Sequence, residues 1–167
     1  MLRSSNLSEN ARILAERMFS RLAAVEAEIH GTHFEDVTFH EVGAFDSIAD
    51  IVGVAAAVAW LAPSSFSASP PLLGSGTVEC SHGTIPIPAP ATASLLAGYP
   101  SVEGGDGELT TPTGALVLTT LVTKFGAPPP MRIVSYGYGI GTKTLHGRTS
   151  ALRVVLGEIT HTDSRRA

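Results

Sequence analysis

The chain has a single cysteine in 167 residues. No disulfide can form within it, and a reducing compartment, the cytoplasm, is the expectation. Charge is scarce: 16% of residues are charged and the net charge is −4. Lysine occurs only at Lys124 and Lys143, and basic residues do not cluster outside Arg165-Arg166, which counts against nucleic acid as a partner. Long hydrophobic runs are lacking too. The longest, Ile51 to Ala62, is too short to cross a bilayer, and the N-terminus has no basic-then-apolar signal pattern. Neither a membrane nor an internal repeat is expected. Apolar residues make up 44% of the chain, enough for a core. The 17 glycines and 11 prolines fall in short clusters between apolar segments, as turns and caps do.

The pattern predicts an α+β fold, with three to four helices packed on a mixed four- to five-stranded sheet. One globular domain over 1–159 and a flexible tail over 160–167 are expected. A helix runs from Asn6 to Ile29, with a capping box of Asn6 and Glu9 and one apolar stripe of Leu14, Met18, Leu22, Val25 and Ile29. Gly31 ends it. A short strand follows at Val37–Val42, then a buried helix from Asp46 to about Leu61, stopped by Pro63. Strands are predicted at Phe66–Ala68, Gly74–Cys80, Met131–Tyr138 and Leu152–Ile159. The prolines of Ile85–Pro90 exclude a central strand and lead into a helix near Ala91–Leu96, closed by Gly98. Val102–Thr110 reads as a loop. Thr111 caps a helix with Pro112 at its first position, which runs to near Gly126.

Four constellations carry chemistry. His40, Glu41, Asp46 and Asp50 put one imidazole and three carboxylates into eleven residues at a strand–helix junction. Imidazole and carboxylate suit a divalent ion. Helix capping accounts for the two aspartates equally well, with Asp46 as N-cap, but leaves His40-Glu41 unexplained. In Cys80-Ser81-His82, a thiolate and an imidazole two residues apart on a strand face one way, as half a site for nickel, zinc or copper. A buried cysteine beside a turn histidine is the plainer alternative, and a Cys/His nucleophile lacks an orienting third residue. The helix start at Thr111, Thr113 and Gly114 offers backbone N–H groups and hydroxyls to an anion, although every helix start needs a cap. Gly137-Tyr138-Gly139-Ile140-Gly141-Thr142-Lys143-Thr144 is predicted to be a tight loop. It fails the phosphate-loop pattern at Thr142, so no NTPase is expected, and a turn near a ligand remains.

Taken in order, these blocks resemble one family. They are Glu26–Gly31, His40-Glu41-Val42-Gly43-Ala44, Asp46-Ser47-Ile48, Asp50–Gly53, Gly74–Val78, Cys80–Gly83, Pro86–Thr92, Gly107–Leu109, Thr111–Ala115 and Gly137–Gly139. From about Ser8 to Glu158 the chain looks like the central part of the nickel insertion proteins of nickel-pincer cofactor biosynthesis, the LarC family. The resemblance implies a cytoplasmic CTP-dependent nickel chelatase, classed as a lyase. It delivers Ni²⁺ to pyridinium-3,5-bisthiocarboxylic acid mononucleotide, an anionic precursor of the cofactor of lactate racemase. CTP would act with Mg²⁺ or Mn²⁺. The metal set expected here is His40, Glu41, Asp46, Asp50, Cys80 and His82, and the substrate contacts are Thr111, Thr113, Gly114, Gly137 and Gly139.

The chain departs from the family at Thr38, where a histidine is usual, and at Arg148-Thr149-Ser150, where the family has Arg-Pro-Asn. The family's Asp- and Gly-rich N-terminal segment and its C-terminal nucleotide-binding domain have no counterpart in these 167 residues. Inactivity of the chain by itself is therefore expected, unless a homo-oligomer or a split-gene partner chain completes the site. A non-catalytic nickel-binding or scaffold module is the alternative, and a Cys/His hydrolase a weaker one.

Overall fold

The computed structural model describes residues 5–37, 45–80, 83–141 and 149–160. The chain forms two units, Met1–Gly126 and Ala127–Ala167. Among the described residues there are four α-helices and eight strands, so the α+β class holds. The strands do not form one sheet. They lie in four pairs: β1 (Ser67–Ala68) with β6 (Lys124–Phe125) and β2 (Leu72–Ser75) with β5 (Val102–Asp106), both parallel, and β3 (Thr77–Cys80) with β4 (Gly83–Pro86) and β7 (Met131–Ile140) with β8 (Ala151–Ile159), both antiparallel.

Helices build the core of the first unit. Helix α1 spans Glu9–His30 and is capped by Ser8, whose hydroxyl accepts the Ala11 amide at 3.3 Å, so Asn6 lies outside the cap. Gly31 closes it in the left-handed region at φ 60°, as the sequence predicts. The expected stripe faces inward except at its last member: Met18 and Leu22 are fully buried, and Leu14 and Val25 pack partly buried against them. Ala11, Ala15, Met18, Leu22, Ala23 and Glu26 are buried, whereas Ile29 is 38% exposed. Small alanines let the neighbouring helices approach this face, which a count of large apolar residues misses.

Helix α2 spans Phe45–Leu61. Its expected burial holds along one face only, at Ser47, Ile51 and Ala55, while Trp60 is 84% exposed. Helices α1 and α4 pack against α2 and leave its other sides to solvent. Helix α3 (Pro90–Leu96) and helix α4 (Pro112–Leu121) complete the cluster with Leu95, Leu96, Ala115 and Leu116. Arg21 ties α1 to the far end of α4 by donating to the Thr119 carbonyl at 2.7 Å, and the Tyr99 hydroxyl donates to the same oxygen at 3.3 Å.

Three expected segments differ. The strand predicted over Gly74–Cys80 is broken at Gly76, whose φ of 92° turns the chain from β2 into β3. The loop predicted over Val102–Thr110 contains strand β5, because glycine allows tight packing: a Cβ at Gly104 would stand 2.6 Å from the Leu73 carbonyl oxygen. Helix α4 ends at Leu121 instead of near Gly126, since Lys124 and Phe125 pair with β1. Pro86 sits on β4, the outer strand of a two-stranded ladder, where its missing donor costs nothing.

The second unit is the β7–β8 hairpin. Met131 pairs with Ile159, and the cross-strand partners Arg132 and Glu158 form an ion pair at 2.6 Å. The tight loop predicted from Gly137 is instead strand: Gly137 pairs with Val154, Gly139 with Leu152, and Ile140 with Ala151. Thr160 still donates its amide to the Pro130 carbonyl at 3.0 Å, and 161–167 lie outside the described residues.

Candidate functional site

The candidate site is built outward from the start of α4. Thr111 adopts extended backbone and its hydroxyl accepts the Gly114 amide at 3.2 Å, the cap the sequence predicts. The segment leading into it is clamped by β2. The Gly107 amide donates to the Ser75 carbonyl at 2.9 Å, and the Thr110 hydroxyl donates to the Leu72 carbonyl at 2.7 Å. The Ser75 hydroxyl reaches the Gly105 carbonyl at 3.2 Å and an Asp106 carboxylate oxygen at 3.3 Å. Buried Thr92, at the start of α3, donates to the Thr110 carbonyl at 3.5 Å. Ser75 and Thr110 tie the segment before α4 to β2, and the chemistry reading of the sequence did not single out Ser75.

Strand β2 leads through Gly76 directly into the β3–β4 hairpin. Cys80 ends β3, is half-buried, and its thiol lies 3.2 Å from the Gly83 carbonyl oxygen. Cys80 and Gly83 are register partners, so the ladder closes next to the thiol. His82 belongs to the connection and lies outside the described residues, as do His40 and Glu41.

Asp46 and Asp50 occupy the first turns of α2 and are both exposed. The helix begins at Phe45, one residue before the expected cap, so Asp46 sits inside the first turn and its carboxylate accepts the Ser47 amide at 2.8 Å. A carboxylate there is favoured by the helix dipole. Among the described residues, no three His, Cys, Asp or Glu side chains stand close enough to hold one ion together. Asp46, Asp50 and Cys80 are thus not joined into a centre by themselves. Gly137 and Gly139 are exposed in the second unit.

The helical core, the paired strands and a cysteine at a hairpin end define an α+β protein with borderline metal donors at the ends of its elements. A family model described as nickel insertion protein matches residues 1–167, and the chain belongs to that family. A relative from Geobacter metallireducens, also named for nickel insertion, is 49% identical over 95% of this chain and 41% of its own length. Relatives from a Nocardioides species and from Geobacillus kaustophilus are both named pyridinium-3,5-bisthiocarboxylic acid mononucleotide nickel insertion protein. The first is 45% identical over 94% of this chain, the second 46% identical over 98%, and each is covered over 40% of its own length. The chain thus spans about 41% of the first of these relatives. No solved structure matches it significantly. Among the described residues, no helix is long and apolar enough to cross a membrane.

Proposed function

We propose that this chain takes part in inserting nickel into pyridinium-3,5-bisthiocarboxylic acid mononucleotide, the activity for which two of its relatives are named. The observation that carries this reading is the family match along all 167 residues. Nickel is here a substrate. Cys80 with His82, and His40 with Glu41, Asp46 and Asp50, are its candidate donors, since thiolate, imidazole and carboxylate together suit Ni²⁺. Thr111, Thr113 and Gly114 receive the phosphate or a carboxylate of the mononucleotide at the start of α4, where the helix dipole and the threonine hydroxyls favour an anion. Gly137 and Gly139, as strand residues, would offer backbone alone. CTP with Mg²⁺ or Mn²⁺ activates the reaction in this reading, the product serves a lactate-racemase-type apoenzyme in the cytoplasm, and a second copy or a partner chain is compatible with it.

Calorimetry with Ni²⁺ tests the metal half of the reading. Cys80→Ser and His82→Ala are each expected to weaken binding about tenfold or more, and His40→Ala likewise. Unchanged affinity in all three rejects these ligands. Because thiolate and imidazole must be unprotonated to bind, affinity should fall as pH drops below about 6. A flat profile from pH 7.5 to 5 contradicts imidazole ligation.

The double variant Thr111→Ala/Thr113→Ala tests the anion half. It should weaken mononucleotide binding by about 0.3–2 kcal/mol while leaving nickel affinity in place. Loss of the Thr111 cap also lowers stability by about 1 kcal/mol, so a melt belongs beside the titration. Equal mononucleotide affinity in parent and variant discards the assignment.

Mixed with precursor, Ni²⁺, CTP and Mg²⁺ or Mn²⁺, the 167 residues by themselves are expected to take up nickel without CTP-dependent product. Absorbance and mass spectrometry follow the pincer complex. Product above a no-protein blank would show a complete site within this length.

A further inference from the structure

Outside the residues considered so far, one imidazole and one carboxylate meet. His30 Nε2 lies 3.3 Å from Glu26 Oε2, one helical turn apart on α1. Glu26 is the unusual member. It is 8% exposed, on the face of α1 that also buries Leu22 and Ala23. A carboxylate is rarely taken out of water without a cation or a donor to meet it. The His30 side chain keeps 33% of its surface and that of Glu26 11%.

The place of the pair in the fold gives it meaning. Ser8 and Ala11, at the start of α1, line one groove with Ala59 and Trp60, at the end of α2. The two helices pack against each other, and they therefore run antiparallel. From Ala11 to Glu26, α1 rises about 22 Å, and from Ala59 back to Phe45, α2 rises about 21 Å. Glu26 and His30 thus lie toward the same end of the helix pair as the first turn of α2, which carries Asp46.

We infer that Glu26 and His30 form a nickel-ligating pair at this end of the helix pair. The inference rests on the nickel-handling reading above and extends it to two residues on α1. Two donors about 2.1 Å from one first-row ion and cis to each other are about 3 Å apart, close to the separation of this pair. Imidazole nitrogen with carboxylate oxygen is a donor set nickel accepts. Two protein donors leave the remaining coordination positions to water, to another donor or to the incoming substrate. That suits a metal which must be handed on. An ordinary ion pair closing a helix end is the competing account, and nickel titration separates the two.

The experiment is a titration of the full chain with NiCl₂, comparing the parent with His30→Ala, Glu26→Gln and Cys80→Ser, with a circular dichroism melt of each. His30→Ala and Glu26→Gln are expected to weaken nickel binding about tenfold or more, with the His30→Ala melt close to the parent. Since Glu26→Gln could fail to fold, a second measurement uses the parent alone. Paramagnetic Ni²⁺ should shift or broaden the His30 ring protons in the NMR spectrum at one equivalent. Nickel affinity unchanged in His30→Ala, with unperturbed His30 resonances, overturns the inference. If Cys80→Ser still loses affinity in that case, the nickel-handling reading stands without it. A parent chain that binds no nickel overturns both.

Discussion

Gly74→Ala should strongly destabilise the first unit. A Cβ built at Gly74 overlaps the carbonyl oxygen of Gly107, lies 2.7 Å from the Gly107 carbonyl carbon, and is 3.2 Å from Ile87 Cγ2. Gly107 is backbone and cannot rotate away. It is also held by its own amide, which donates to the Ser75 carbonyl at 2.9 Å. One added methyl therefore forces β2 away from the segment that leads into α4. Overpacking costs 1–3 kcal/mol where side chains can yield, so about 3 kcal/mol or more is expected here. That corresponds to a melting temperature lower by roughly 10 °C, measured by circular dichroism or calorimetry. Gly53→Ala gives the opposite sign. Gly53 lies inside α2 with nothing within 4 Å of its added Cβ, so the change should stabilise by about 0.5–1 kcal/mol. Equal melting temperatures for the two variants would mean that the Gly74–Gly107 approach is not part of the folded protein.

Leu22→Ala and Ile29→Ala, two members of the same expected stripe, should differ severalfold. Leu22 is 0% exposed, within the cluster formed with Met18, Ile51, Ala55, Leu95 and Leu116. Its truncation leaves a cavity between helices that cannot close without moving one another, at a cost of about 2–5 kcal/mol. Ile29 is 38% exposed, and its truncation should cost about 1 kcal/mol or less. Urea denaturation with constant slope gives both numbers. Leu22 also lies one turn before Glu26, so a loosened α1 should weaken nickel binding in Leu22→Ala even though no donor is removed.

Much of the helical structure was legible because its signals are local. Gly31 closes α1 through a backbone conformation open to glycine, and Thr111-Pro112 starts α4 through one hydroxyl and one ring. Such signals involve residues within one turn of each other, and neighbours elsewhere do not change them. The family blocks were legible for a related reason. Several short motifs in a fixed order narrow the choice far more than any one of them, and the family match over 1–167 agrees with that reading.

Pairing and burial were decided by tertiary structure. Val102–Asp106 looks like a loop because glycine and acid disfavour strands, yet it becomes β5: the missing side chain at Gly104 permits a close parallel approach to β2 that no local propensity describes. Gly137 and Gly139 look like a turn and are strand, because β8 lies opposite and supplies their partners. The inner face of α1 carries Met18 and Leu22, which the apolar spacing marks, together with Ala11, Ala15 and Ala23, which it does not. The same holds for Glu26 and His30. Their spacing of four places them on one helix face from sequence alone, but only the packing of α1 buries the carboxylate. The sequence by itself determined the Gly31 end of α1, the Thr111 start of α4, the class of fold and the family. The partners of each strand and the surroundings of each donor depended on contacts between residues far apart in the chain, whose energies no local pattern encodes.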